Sequence, residues 1–224
     1  MTIISFSGID GAGKSTQINS LEAWLRESRL RTRLLTFWDN VVVFSSLREY
    51  MSLKAFKGDT GVGSPDRPLT RRDKNVTSTP ITLSRFFFYF ADAVNLRRTV
   101  HKLRNSDTDV VIFDRYIYDE LANLPLHSWI ARAFIRLVLS FVPQPDIAYV
   151  IDADPDKAFA RKPEYPLEFL RGNRNAYIEL GRITGTSTVI EPNSVEAMQR
   201  NVREVFLQRT SQPDAALTDV PALQ

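Results

Sequence analysis

The sequence predicts an α/β fold in three layers, with helices on both faces of a five-stranded, mostly parallel sheet. Three observations carry that expectation. Short apolar runs rich in β-branched and aromatic residues alternate with longer segments of helical apolar spacing, the pattern of βαβ units. A glycine-rich turn joins the first of these runs to the first helical segment. The composition of the 224 residues, 43% apolar and 25% charged, is that of an ordinary globular domain and argues against disordered, collagen-like and coiled-coil chains.

Each element has its own signal. Thr2–Ser7 reads as a buried strand ending at Gly8. Lys14–Ser28 follows with Ile18, Leu21 and Leu25 at helical spacing. Arg31–Phe37 reads as the second strand and Val41–Phe56 as a helix. Lys57–Pro80 holds three Gly and three Pro among many polar residues and reads as a long loop, a length that is often functional. Ile81–Arg104 is a long helix, and Val110–Phe113 a strand ending at Asp114. Tyr118–Phe141 is helical with a break near Pro125, and Ile147–Ile151 is a fourth strand. Asp156–Lys162 and Leu167–Arg182 are helices flanking Pro163–Pro166. Thr188–Ile190 is a short fifth strand and Val195–Arg209 the last helix. Residues 1–210 form one domain, and 211–224 a weakly patterned tail expected to be mobile.

Charge and composition exclude several classes. The net charge is +3, too small a surplus to argue for nucleic acid as partner. It fits basic residues gathered around anionic ligands. There is no cysteine, hence no disulfide or thiolate chemistry, and His101 and His127 form no ligand-spaced cluster. The N-terminus carries no signal-peptide pattern, and no run approaches the roughly 18 apolar residues of a membrane span. A cytoplasmic protein without membrane partners is the expectation.

Gly8-Ile9-Asp10-Gly11-Ala12-Gly13-Lys14-Ser15-Thr16 matches the G-x-x-x-x-G-K-[ST] phosphate-binding pattern, between the first strand and the first helix. Glycines let backbone N–H groups converge on phosphate oxygens. The helix beginning near Lys14 aims free N–H groups and its positive dipole end at the same anions. Lys14 would hold the β and γ phosphates, and Ser15 a Mg²⁺ ion. Gly8, Gly11, Ala12, Gly13, Lys14, Ser15 and Thr16 are therefore the candidate binding residues for a nucleoside triphosphate. Asp114 ends the apolar strand Val110–Phe113, where α/β sheets bind ligands, and is the candidate second metal ligand. A strand-end Asp also serves as a turn former or helix cap. Arg115 beside it can grip an acceptor phosphate bidentately, or form a surface ion pair.

Here the sequence resembles the thymidylate kinases, within the nucleoside-monophosphate kinases. Three blocks carry the likeness: Phe6–Thr16, with Asp10 inside the phosphate loop; Asp114-Arg115-Tyr116, followed by Ala122; and Arg161-Lys162, then Glu168-Phe169-Leu170-Arg171, Arg174 and Tyr177-Ile178-Glu179-Leu180. Strand and helix order agree over roughly residues 1–210. The resemblance implies a P-loop kinase fold with a short lid at about 161–172, ATP as donor with Mg²⁺, and dTMP or a related nucleoside monophosphate as acceptor. It implies that Asp10 and Arg115 lie near the acceptor phosphate, with Tyr116 in the substrate site. The phosphate loop lacks the arginine that some members carry between Asp10 and Gly13. In members of the other kind the lid supplies that cation, so Arg161, with Lys162 and Arg171 as further candidates, would close over the transferred phosphoryl group. A solvated helix face explains the same cations. The resemblance also implies a homodimer through helices beside the sheet, for which Trp129–Val142 is the candidate contact; core packing explains the same apolar residues.

The chain departs from the family on the acceptor side. Aligning Ala91-Asp92 with the family's Ala-Asp-Arg puts Tyr89 at the base-stacking position and Ala93 where an arginine recognises the pyrimidine. Within Phe86–Phe90 some rings must be core, since five consecutive residues cover every face of a helix. Asp119 and Glu120 stand where the family has Ser and a small polar residue, and Glu120 is a candidate substrate contact. Trp38-Asp39-Asn40 follows strand two, where an Arg is common. Arg67, Arg71 and Arg72 of the long loop could restore positive charge. Two alternatives stay open: a P-loop kinase of a different small molecule, and an inactive nucleotide-binding relative. No Asn-Lys-x-Asp segment supports a GTPase, and Arg rather than Glu after Asp114 argues against a DNA-tracking ATPase.

Overall fold

The computed structural model describes residues 1–48 and 79–211. The remainder of the Val41–Phe56 helix, most of the Lys57–Pro80 loop with Arg67, Arg71 and Arg72, and the tail from residue 212 lie outside the described residues. Five strands, β1 (Thr2–Ser7), β2 (Thr32–Thr36), β3 (Val110–Asp114), β4 (Ile147–Ile151) and β5 (Ser187–Ile190), form one sheet in the order β2-β3-β1-β4-β5. Every pairing is parallel. Helices must then cover both faces, which is why β1, β3 and β4 are apolar runs without alternation and almost wholly buried.

Around the sheet lie α1 (Lys14–Glu27), α2 (Phe37–Asn40), α3 (Thr79–Arg104), α4 (Ile117–Leu121), α5 (Trp129–Phe141), α6 (Pro155–Arg161), α7 (Leu167–Thr184) and α8 (Val195–Ser211). One layer is α1 against α8, with Trp24 edge-on to Phe206 at 5.8 Å. In the other, α4 contacts both α3 and α7, and α5 packs on α3. The register aligns Phe6 with Asp114 and Ser7 with Val150. The three central strands thus end level, and their C-terminal edge gathers Gly8, Asp114 and Asp152.

The Val41–Phe56 segment differs from expectation in its described part. A helical turn forms earlier, at α2; residues 41–44 are not helical; helix resumes at 45–48. Tertiary bonds explain the gap: the Val43 N–H donates to Asp92 Oδ1 at 2.7 Å, and Asn95 Nδ2 donates to the Val41 carbonyl at 2.8 Å. Three consecutive valines, stiff at χ1, are also poor helix formers. The expected break near Pro125 separates α4 from α5.

Candidate active site

The phosphate loop is shaped by its glycines and by its neighbour β4. Gly8 has φ 141°, and a Cβ there would lie 2.5 Å from the Ile151 carbonyl oxygen. Gly13 has φ 93° just before α1, with open space where a side chain would stand. Both conformations suit glycine alone. Lys14 donates from Nζ to the Gly8 and Ile9 carbonyls, each at 2.9 Å, and is only 8% exposed. Burial first, then the Arg115 charge, pulls its ammonium down to about 8, while Asp10, Asp119 and Asp114 oppose the shift. Ser15 and Thr16 are exposed in the first turn of α1.

Arg115 is the hub of the next layer. Its backbone is left-handed at φ 70°, a conformation uncommon outside glycine, and its N–H donates to the Phe6 carbonyl at 2.9 Å. Nη2 bonds Asp10 Oδ1, and Nη1 bonds Asp119 Oδ1 at 3.0 Å. Asp119 also accepts from Ser7 Oγ at 2.6 Å, Tyr177 Oη at 2.7 Å and the Tyr116 N–H at 3.2 Å. Burial opposes the Arg115 charge, but Asp119, Tyr177 and Asp10 outweigh it and hold the guanidinium above its ordinary range. Asp114 is half-buried at the end of β3; burial raises its carboxyl, and Lys14 and Arg115 pull it back.

A second cluster lies between α3 and α4. Arg48 bonds Asp92, Glu120 at 2.8 Å and the Phe88 carbonyl at 3.1 Å, with its guanidinium 4.8 Å over the Phe88 ring. Asp92 and Glu120 are fully buried. Burial, then Asp92, raises the Glu120 carboxyl well above its usual range. Among the described residues Glu120 Oε2 and Arg48 Nε have no hydrogen-bond partner. Sequence reading missed Arg48. The signal was indirect: a cation lost at Ala93 beside two new acids requires one from elsewhere.

Two expected substrate contacts are buried. Tyr116 is fully buried among core residues, with its hydroxyl donating to the Pro143 carbonyl at 2.6 Å. Glu120 has no exposed surface either; desolvation ties it to Arg48. Tyr89 is 8% exposed, and burial followed by the Glu120 charge pushes its hydroxyl up. Of its aromatic neighbours, Phe88 is core, Phe86 stacks on Phe134 at 4.4 Å, and Phe87 and Phe90 are exposed.

The candidate lid cations are divided. Arg161 is exposed and bonds its own helix at the Lys157 carbonyl. Lys162 pairs with Glu164, and Arg171 with Asp156 and Glu168. Arg174 instead grips Asp152, at the sheet edge, through two bonds of 2.6 and 2.5 Å. Among the described residues no group of three or more His, Asp or Glu could hold a metal unaided. The hydroxyl of Ser15 and the carboxylate of Asp114 suit Mg²⁺ that arrives with phosphates, since that ion takes few protein ligands and keeps its other positions for water and phosphate oxygen.

No protein-family model matches the chain. It is 28% identical over 209 residues to a probable thymidylate kinase of Methanothermobacter thermautotrophicus, covering 91% of this chain and 93% of the relative. It is 27% identical to a thymidylate kinase of Prochlorococcus marinus, covering 93% and 96%. The crystal structure of a thymidylate kinase from Ehrlichia chaffeensis aligns with TM-score 0.56 at 20% identity over 92% of this chain and 98% of that one, a likeness of fold. Among the described residues no helix is long and apolar enough to cross a membrane.

Proposed function

We propose that this chain, thymidylate kinase-like in sequence and fold, transfers the γ-phosphate of ATP to dTMP or a related nucleoside monophosphate. The observation that carries the reading is Arg115, clamped by Asp10 of the phosphate loop beside buried Lys14. Donor-binding and acceptor-binding charges thereby belong to one network.

In this reading the loop N–H groups and Lys14 hold the β and γ phosphates, and Arg115 holds the acceptor phosphate in line with them. Catalysis is then positioning and electrostatic stabilisation, with little covalent work for the protein. Lys14 satisfies the Gly8 and Ile9 carbonyls until phosphate offers it stronger partners. Mg²⁺ on Ser15 and Asp114 would neutralise charge on the phosphates. Arg161 remains the candidate lid cation, and Arg174 is held at the same edge by Asp152. Arg48 takes the part of the arginine missing at Ala93: its guanidinium lies against the same helix, on Phe88 and on Asp92 next to Ala93. That compensation weakens the case for an unrelated acceptor. Leu83, Phe87 and Phe90 of α3 and Trp129, Ile130 and Leu137 of α5 are exposed apolar residues that suit a homodimer contact. A cytoplasmic location fits the same enzyme.

The test is ADP release, coupled to a spectrophotometric readout, over a panel of nucleoside monophosphates. We expect turnover with dTMP. ATP binding without turnover of any monophosphate would refute the reading.

A further inference from the structure

We propose that Asp119 is the positioning residue for Arg115, holding its guanidinium ready for the acceptor's phosphate. The inference rests on the kinase reading above and assigns work to a buried carboxylate that the phosphate loop motif does not include.

The geometry is that of a fixed clamp. Both Asp119 oxygens are engaged, by Arg115 and Tyr177 on Oδ1 and by Ser7 and the Tyr116 N–H on Oδ2. The donors come from β1, the turn after β3, and α7, so the carboxylate plane is set from three sides. Asp119 is 3% exposed. A buried carboxylate needs a cation and a full set of donors, and it has both. On the other side Asp10 takes Arg115 Nη2, so the guanidinium is held between two carboxylates. Its backbone is independently constrained, at φ 70° with its N–H on Phe6. Residues kept in sparsely populated conformations persist where the surroundings over-determine them, and such places cluster at functional sites.

A guanidinium has five N–H donors. One bond to each carboxylate leaves others for a phosphate, whose binding then need not order a long, flexible side chain. A Ser hydroxyl would offer Arg115 a neutral acceptor, about half as strong as a charged one. Asp119 also leaves the resting site with three carboxylates (Asp10, Asp114, Asp119) against two cations (Lys14, Arg115). Such a site stays receptive to the metal that accompanies the donor while keeping Arg115 in place.

The test is a double-mutant cycle of Asp119→Asn and Arg115→Lys, read as KM and kcat for dTMP and for ATP. We expect Asp119→Asn to lower kcat/KM for the acceptor roughly 10- to 100-fold, the range one charge-assisted hydrogen bond controls. The KM for ATP should stay within about twofold. In the Arg115→Lys background the same substitution should cost under about threefold, because coupled residues are non-additive. Equal losses in both backgrounds would overturn the proposal, as would a loss shared by ATP. Tyr177→Phe removes one donor from Asp119 and guards against misfolding; it should raise the acceptor KM a few-fold and lower the melting temperature by only about 3–10 °C. A readout independent of the acceptor is the set of Arg115 Nη–H resonances of the substrate-free protein. They should be resolved and slow to exchange in the native chain and averaged by guanidinium rotation in Asp119→Asn. Unchanged resonances would refute the positioning role even if no monophosphate were turned over, an outcome that would itself refute only the kinase reading.

Discussion

The donor side and the acceptor side of this site are built in opposite ways. The donor side is backbone: nine consecutive residues, Gly8–Thr16, with one buried ammonium. In the proposed reading the acceptor side is side chains from distant places: Arg115 held by Asp10 and Asp119, with Tyr177 behind them, and Arg48 held by Asp92 and Glu120 in a separate cluster. Backbone donors give one solution that any triphosphate fits. A side-chain network can be re-sorted, and on the proposed reading Arg48, entering from another segment, takes the part of the arginine expected at Ala93. What binds the invariant part of the chemistry is local; what selects the variable part is assembled.

The largest effect should come from Lys14→Met. Removing this charge should cut phosphoryl transfer about 100- to 1,000-fold or more, the scale for one preorganised electrostatic donor, while raising stability. The fold holds Lys14 at about 8 against 10.5 for the free side chain, so its charged form costs about 3 kcal/mol at neutral pH. Between pH 8 and 10 the unfolded chain binds the extra proton, and native stability should climb with pH. Thermal melts from pH 7 to 10 should show that climb in the native protein and none in the variant. A variant that melts lower throughout would mean that Lys14 is structural as well.

Next comes Arg48→Met, which strands Asp92 and Glu120 without their cation. Breaking a buried pair from one side costs about 3–5 kcal/mol, measurable as a drop in the denaturant midpoint. The comparison is sharpened if ATP affinity in the surviving folded fraction is unchanged while dTMP affinity falls. Tyr116→Phe should do least: loss of the Pro143 hydrogen bond costs about 1 kcal/mol. Its kcat and both KM values should match the native protein, and a selective change in acceptor KM would return Tyr116 to the substrate site.

The same contrast explains what could be read from the chain. The parallel sheet, the helix after Gly13 and the helical break near Pro125 depend on short-range patterns, and the structure carries them. Asp10 and Arg115 were legible through contiguous motifs. Tyr116 shares a motif with Arg115, but motif adjacency does not say which way a side chain points: after β3, Arg115 is part-exposed beside Asp10 and Tyr116 is buried in the core. Glu120 could be flagged as an intruding acid, yet its partner lies 72 residues away, beyond any local pattern. Arg48 carried no pattern at all, since one arginine in a polar stretch is a surface residue until a buried carboxylate is known to face it.

The contact of Gly8 with Ile151 has a consequence in time. Gly8 packs on the Ile151 carbonyl and Gly11 on that of Ala158, while β1 pairs with β3 and β4, more than a hundred residues later in the chain. Parallel pairing at such separation is slow, because long loops must close before any contact rewards them. The phosphate loop is made more than a hundred residues before the strand and helix that wall it. An emerging chain should be blind to nucleotide until β4 and α6 are out, and a refolding chain should regain nucleotide affinity with the completed sheet rather than with α1.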